Sequence, residues 1–173
     1  MAVILSCTDN TKVADNNETN DGAVNAKNTE KTKELYRAIE TGDVSKLDSF
    51  IAEDAIDHNG NPDGSDVVGR DSIKKMISQA HTYFEDGLKM EFISDALSSD
   101  GVYLYTTVRM KGKAKANPWG MPVGADVDDT SVDVVKLKDG KATEHWSFMS
   151  MADVNEMMQM TQQGTQPPKK KTD

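Results

Sequence analysis

The stretch Asp126–Met149 reads D-V-D-D-T-S-V-D-V-V-K-L-K-D-G-K-A-T-E-H-W-S-F-M. Two β-rich runs flank Asp139-Gly140. Asp-Gly between such runs marks a two-residue hairpin, because a type I′ turn needs positive φ at both central residues. Counting back from that turn predicts the pairs Lys138/Lys141, Leu137/Ala142, Val134/His145 and Asp133/Trp146. Opposed residues share a sheet face. One face then carries Ser131, Asp133, Val135, Leu137, Ala142, Glu144, Trp146 and Phe148. The other carries Val132, Val134, Lys136, Thr143, His145, Ser147 and Met149. Both faces mix apolar and polar groups. A sheet used on both sides needs helices on one and a partner or a cavity on the other.

Working outward, Val102–Lys113 is the longest other strand, with Tyr103, Tyr105, Thr107 and Arg109 alternating against Val102, Leu104, Thr106 and Val108. Lys89–Leu97 is a further strand, and Ala55–His58 a short one. Residues 114–126 hold two prolines and two glycines and read as a loop. Before the strands come helical patterns. Thr29 begins a helix with Leu35, Ala38 and Ile39 as its stripe and Gly42 as its C′ residue. Asp43 caps a short second helix bearing Val44, Leu47, Phe50 and Ile51. A third runs from about Gly69 to Phe84 on Ile73, Ile77, Ala80 and Phe84. Asn59–Gly64 is turn chemistry throughout, and Asp153 caps a last turn through Met158. Helices followed by an antiparallel sheet indicate an α+β class: a curved antiparallel sheet wrapped over about three N-terminal helices.

The segment Asp139–Trp146, D-G-K-A-T-E-H-W, resembles the D-G-K-I-x-E-H-W hairpin of the SnoaL-like polyketide cyclase family, in the nuclear transport factor 2-like superfamily. Gly69-Arg70-Asp71-Ser72-Ile73 resembles that family's G-R-E-x-I helix start. Met121-Pro122-Val123-Gly124 resembles its P-x-G loop, and Leu35–Phe50 its opening helix pair. The likeness spans roughly Lys33–Met158. It implies a cone-shaped domain with an interior cavity for a small hydrophobic molecule. It also implies an acid/base aspartate just after the hairpin tryptophan, where this chain has Ser147. Epoxide-hydrolysing relatives need an Asp/Arg/Asp set, which Phe148 and Met149 do not supply at the end of the hairpin.

The 173 residues are a one-domain length with net charge −9, which argues against nucleic acid and anionic membrane surfaces as electrostatic partners. No apolar run approaches the ~18 residues of a membrane span. The sole cysteine, Cys7, ends V-I-L-S-C, which resembles the end of a bacterial lipoprotein signal, although six residues precede it and no basic region does. The expectation is lipidation at Cys7 and residence in the cell envelope or periplasm, with a membrane met only through that anchor; were the motif chance, the chain would be cytoplasmic. Residues 1–28 are then leader and disordered tether, 29–161 the folded domain, and 162–173 a disordered polar tail.

No Ser-His-Asp signature, G-x-G-x-x-G, P-loop or H-E-x-x-H occurs, and no cofactor or metal is implied. Among three histidines, His145 on the hairpin and His58 on the first strand are the catalytic candidates, since imidazole exchanges protons near neutral pH. Ser147, Val132 and Val134 share the predicted His145 face and join Asp57, Tyr105 and Trp119 as expected ligand contacts. Asp133 and Glu144 fall beside Trp146, on the opposite face. That face is expected to lie against the partner of a homodimer or against solvent. The alternatives to a ligand-binding domain are an isomerase, cyclase or hydrolase using a pocket histidine, and a sheet-mediated interaction module.

Overall fold

The computed structural model describes residues 18–115 and 122–164. Its centre is a curved, unclosed six-stranded sheet in the order β2-β1-β6-β5-β4-β3. The strands are β1 (Ile51–Asp57), β2 (Val67–Val68), β3 (Phe84–Leu97), β4 (Tyr103–Ala114), β5 (Asp126–Lys138) and β6 (Lys141–Met149). Neighbours are antiparallel except β1 and β6, which run parallel. Two α-helices precede the long strands, α1 (Glu18–Thr41) and α2 (Arg70–Ala80), and α3 (Met151–Gly164) follows them. Among the described residues no helix is long and apolar enough to cross a membrane. Cys7 and Trp119 lie outside the described residues.

The β5–β6 turn has φ of 53° at Asp139 and 72° at Gly140, the left-handed pair that Asp-Gly was read to supply. The first pairs, Lys138/Lys141 and Leu137/Ala142, are those expected. Beyond them the register slips. Lys136 pairs with Glu144, Val135 with His145, Val134 with Trp146 and Asp133 with Ser147. Thr143 is the extra residue of a β-bulge, and its hydroxyl donates to the Lys136 carbonyl at 3.2 Å. The expected alternation therefore reverses on β6 relative to β5. Asp133 joins the His145 face, and Val132 and Val134 leave it.

The concave face and the helices share the core. Leu104, Val135, Leu137 and Ala142 from the sheet pack with Ala38, Leu47, Phe50, Ile73 and Ile77. Each large side chain so buried contributes about 1.5–3 kcal/mol. A second cluster of Phe84, Leu88 and Val127 closes the far end.

Several expected boundaries move. The tether expected through Asn28 is helical from Glu18. Its polar residues Asn28 and Thr32 are buried, and the Thr32 hydroxyl donates to the Asn28 carbonyl at 3.0 Å. Tertiary contact thus offsets weak helix propensity. Met90 N–H also donates to Glu40 at 2.7 Å, tying α1 to β3. Asp43 caps no helix. Its carboxylate accepts from Ser45 N–H at 3.0 Å in a local turn, and only a 3₁₀ turn at Leu47–Ser49 follows. The strand expected at Lys89 starts at Phe84, with a left-handed pair, Asp86 and Gly87, absorbing an irregularity. The last helical turn expected over 153–158 is part of the longer α3, which reaches three residues into the expected tail.

Gly42 ends α1 at φ +76°, its N–H donating to the Ala38 carbonyl at 2.7 Å. A Cβ there would stand 2.5 Å from His81 Cε1 and 2.9 Å from the Ser78 carbonyl oxygen. Gly42→Ala is therefore predicted to lower unfolding free energy in urea by about 2 kcal/mol, from left-handed strain plus the clash. Unchanged stability would mean that α1 and His81 do not meet in this way.

Candidate functional site

An apolar cavity of about 170 Å³ lies between α1, α2 and the concave sheet face, walled by Leu35, Ile39, Phe50, Ile73, Ile77 and Val135. A second lobe of about 220 Å³ shares Ile39, Met76, Ile77, Asp133 and His145 with it and extends toward Met90, Met110 and Met149. His145 and Asp133 line both lobes and so stand at their junction. Polar groups converge there although most of the walls are hydrocarbon.

Register brings them together. Parallel pairing of β1 with β6 sets Asp57 beside His145, and His58 N–H donates to the His145 carbonyl at 2.9 Å to hold the strands in step. The buried Asp57 carboxylate lies 2.8 Å from His145 Nδ1. Because the Thr143 bulge turns His145 inward, its Nε2 comes to 3.9 Å from Asp133 Oδ1, beyond hydrogen-bond range. Asp133 is held from three directions. Ser147 donates to it at 2.8 Å, Ser131 at 3.2 Å, and the Tyr36 hydroxyl at 3.0 Å.

Burial acts to lower the His145 pKa, but the hydrogen bond to Asp57 and the charges of Asp57 and Asp133 outweigh it. The result lies above the ordinary value of 6.5. The Tyr36 phenol is pushed far up by burial, then by the Asp133 charge and hydrogen bond, and so remains a donor. With Nδ1–H held on Asp57, a neutral His145 presents Nε2 as a proton acceptor toward the cavity. Protonated, it presents a donor between two carboxylates. The site can therefore take up or give a proton at one fixed atom.

His58 lies elsewhere. It stacks on Trp146 with ring centroids 4.6 Å apart, and its nitrogens meet Asp66 at 3.2 Å and Glu144 at 3.1 Å. Glu144 is held below the usual carboxylate range by the hydrogen bond from Lys136, at 2.7 Å, and then by His58. Trp146 and Phe148 occupy the outer face with Val132, Val134 and Tyr105. Of the expected ligand contacts, then, Asp57 lines the first lobe and Ser147 the second, while Val132, Val134 and Tyr105 line neither. Tyr36 and Asp133 were not among the expected contacts. Tyr36 had a legible signal, since it sits three residues before Ile39 on the same helical stripe. Among the described residues no group of three or more metal-ligating side chains is arranged to hold an ion.

The model of the SnoaL-like polyketide cyclases matches residues 30–161. The chain belongs to the SnoaL-like polyketide cyclase family. No curated protein matches it. Solved structures similar to this SnoaL-like chain include Bal32a from a soil-derived mobile gene cassette, at 19% identity and TM-score 0.62, covering 78% of this chain and 98% of that one. Another is a phenazine biosynthesis-related protein of Pseudomonas aeruginosa, at 17% identity and TM-score 0.63, with coverage of 83% and 92%. A third is the epoxide hydrolase/cyclase-like enzyme SalBIII, of pyran ring formation in the polyether salinomycin, at 20% and TM-score 0.58, with coverage of 75% and 95%. At these identities the likeness is one of fold.

Proton NMR titration is predicted to place the His145 midpoint above 6.5, and Asp57→Asn is predicted to lower it. The sign of the linkage follows. A raised imidazole pKa gives stability that is complete below the unfolded-state value and is lost as pH rises through the folded one. The stability gap between wild type and Asp57→Asn should accordingly narrow with rising pH across that window. A midpoint that Asp57→Asn leaves in place would separate the two side chains.

Proposed function

We propose that this SnoaL-like domain binds a small hydrophobic molecule in the two-lobed cavity and moves a proton on it through His145. The observation that carries the reading is the Asp57–His145 pair, fixed at Nδ1 and open to an apolar cavity at Nε2. In such surroundings charges and hydrogen bonds are worth more than in water. Asp133 supports the same reading. The resemblance leads one to expect an acid after the hairpin tryptophan, where Ser147 stands. Its strand partner Asp133 supplies a carboxylate 2.8 Å from the Ser147 hydroxyl. His145 and Asp133 thus form an acid/base couple on one side of the bound molecule, suited to enolisation, isomerisation or ring closure. Tyr36, protonated throughout, serves as the donor that keeps Asp133 in place.

The test uses α-proton exchange in D₂O, followed by NMR, with cyclohexanone and 2-tetralone as probes. Exchange faster than in buffer is expected for the wild type and for His58→Gln. His145→Gln should lose about 10²–10⁴ of the enhancement, the usual share of general acid–base catalysis. Equal rates for His145→Gln and His58→Gln would remove His145 from the chemistry.

A homodimer through the outer sheet face is a second part of the proposal. Phe148, Tyr105 and Val132 are 56, 41 and 39% exposed there, and strand pairing places them beside Val134 and Trp146. Apolar patches of this kind mark interaction surfaces, and a two-fold axis closes such a contact. Light scattering at about 100 μM, far above the dissociation constant expected of a standard interface, should give twice the chain mass for wild type and the chain mass for Phe148→Asp. A monomeric wild type would contradict it.

A further inference from the structure

Three concavities meet at α2, and one side chain borders all of them. Met76 lines the inner lobe, the methionine-rich lobe and an outer groove of about 380 Å³ between α2 and the segment 60–67. The groove is polar-edged, with Asn61, Ser72 and Gln79 on its lining. Ile39 and Ile77 also separate the two inner lobes. Both are β-branched and therefore stiff at χ1, and Ile77 is buried. Met76 is half-buried and unbranched, with a soft thioether and rotatable bonds to spare. Its side chain therefore has more freedom to swing aside than either isoleucine.

We propose that Met76 sets the length of the molecule the site accepts. This rests on the reading that the cavity holds a ligand at His145 and Asp133. The matching ligand class is an apolar molecule with a hydroxyl or carbonyl at one end and an unbranched tail at the other. Its polar end sits at the junction of the lobes. Its body fills hydrocarbon-lined space. A tail longer than the inner lobes must displace Met76 and run into the outer groove, where the polar edge gives it less apolar surface to cover.

The 4-alkylphenols from phenol to 4-octylphenol probe this directly, with binding followed by calorimetry and by the His145 ring resonances. In wild type each added CH₂ should tighten binding about fourfold, the value of one buried methylene, until the tail reaches Met76 and the gain stops. Met76→Ala should move that break to longer tails. Met76→Phe should move it to shorter ones, and so should Met76→Leu, which is close in volume but branched and less able to swing. The Leu and Phe variants carry the test if the Ala variant is too unstable to measure. Thermal melts record folding for each. The same break point in every variant that binds would overturn the role of Met76 while leaving the ligand site intact. Absence of binding and of any His145 shift in wild type, across the whole series, would overturn the ligand reading itself.

Discussion

Side chains along a strand alternate faces, so one inserted residue exchanges everything beyond it. Thr143 is that residue in β6. Without it His145 would sit opposite Val134 and share its face, and Asp133 would stand across from Trp146. With it, His145 and Ser147 turn toward Asp133 and the helices, while Trp146 turns outward onto His58. The hydroxyl of Thr143 donates to the Lys136 carbonyl across the bulge. A local irregularity of this kind thus decides which side chains the cavity contains. The two sides of the hairpin come to differ in kind, with the Asp57–His145 pair inside and the stacked His58 and Trp146 outside.

The cost of this arrangement falls on the polar groups it buries. An unpaired carboxylate or imidazole in hydrocarbon surroundings is strongly disfavoured. Each member here has partners: Asp57 has His145, and Asp133 has Tyr36, Ser131 and Ser147. The exception is His145 Nε2, which stands 3.9 Å from Asp133 Oδ1. That gap is where the network ends and the apolar lobes begin. The rest of the cavity wall is ordinary core, so stability and site share the same side chains of α1, α2 and the sheet. A substitution at Ile77 or Val135 changes both.

Much of this was legible in the chain. The Asp139-Gly140 turn, the apolar stripes of Leu35, Ile39, Ile73 and Ile77, and the alternation of β4 follow from local chemistry. The bulge is not written locally, since Ala142-Thr143-Glu144 holds neither glycine nor any other residue that marks an extra position. Face assignment on β6 therefore reversed relative to β5, and with it the places of Val132, Val134 and Asp133. Tyr105 falls on the outer face through its pairing with Val134, a long-range register that periodicity does not give. The Asp57–His145 contact is of the same sort, because a parallel pairing of strands 88 residues apart leaves no trace in spacing. The reach of α1 back to Glu18 was hidden for another reason. Residues 18–28 are rich in Asn, Asp and Thr and read as tether, and the burial of Asn28 is a tertiary fact that composition does not give.

On the proposed function, Asp57 fixes His145 at Nδ1 and leaves Nε2 toward the cavity as the working atom. A histidine side chain in water favours the opposite tautomer, with the proton on Nε2, so the protein has to reverse an intrinsic preference. Long-range ¹H–¹⁵N correlation spectra of wild type, taken above the His145 midpoint, report the tautomer directly. A proton on Nδ1 and a bare Nε2 are expected, reverting toward the ordinary tautomer in Asp57→Asn. A neutral His145 carrying its proton on Nε2 in wild type would contradict it.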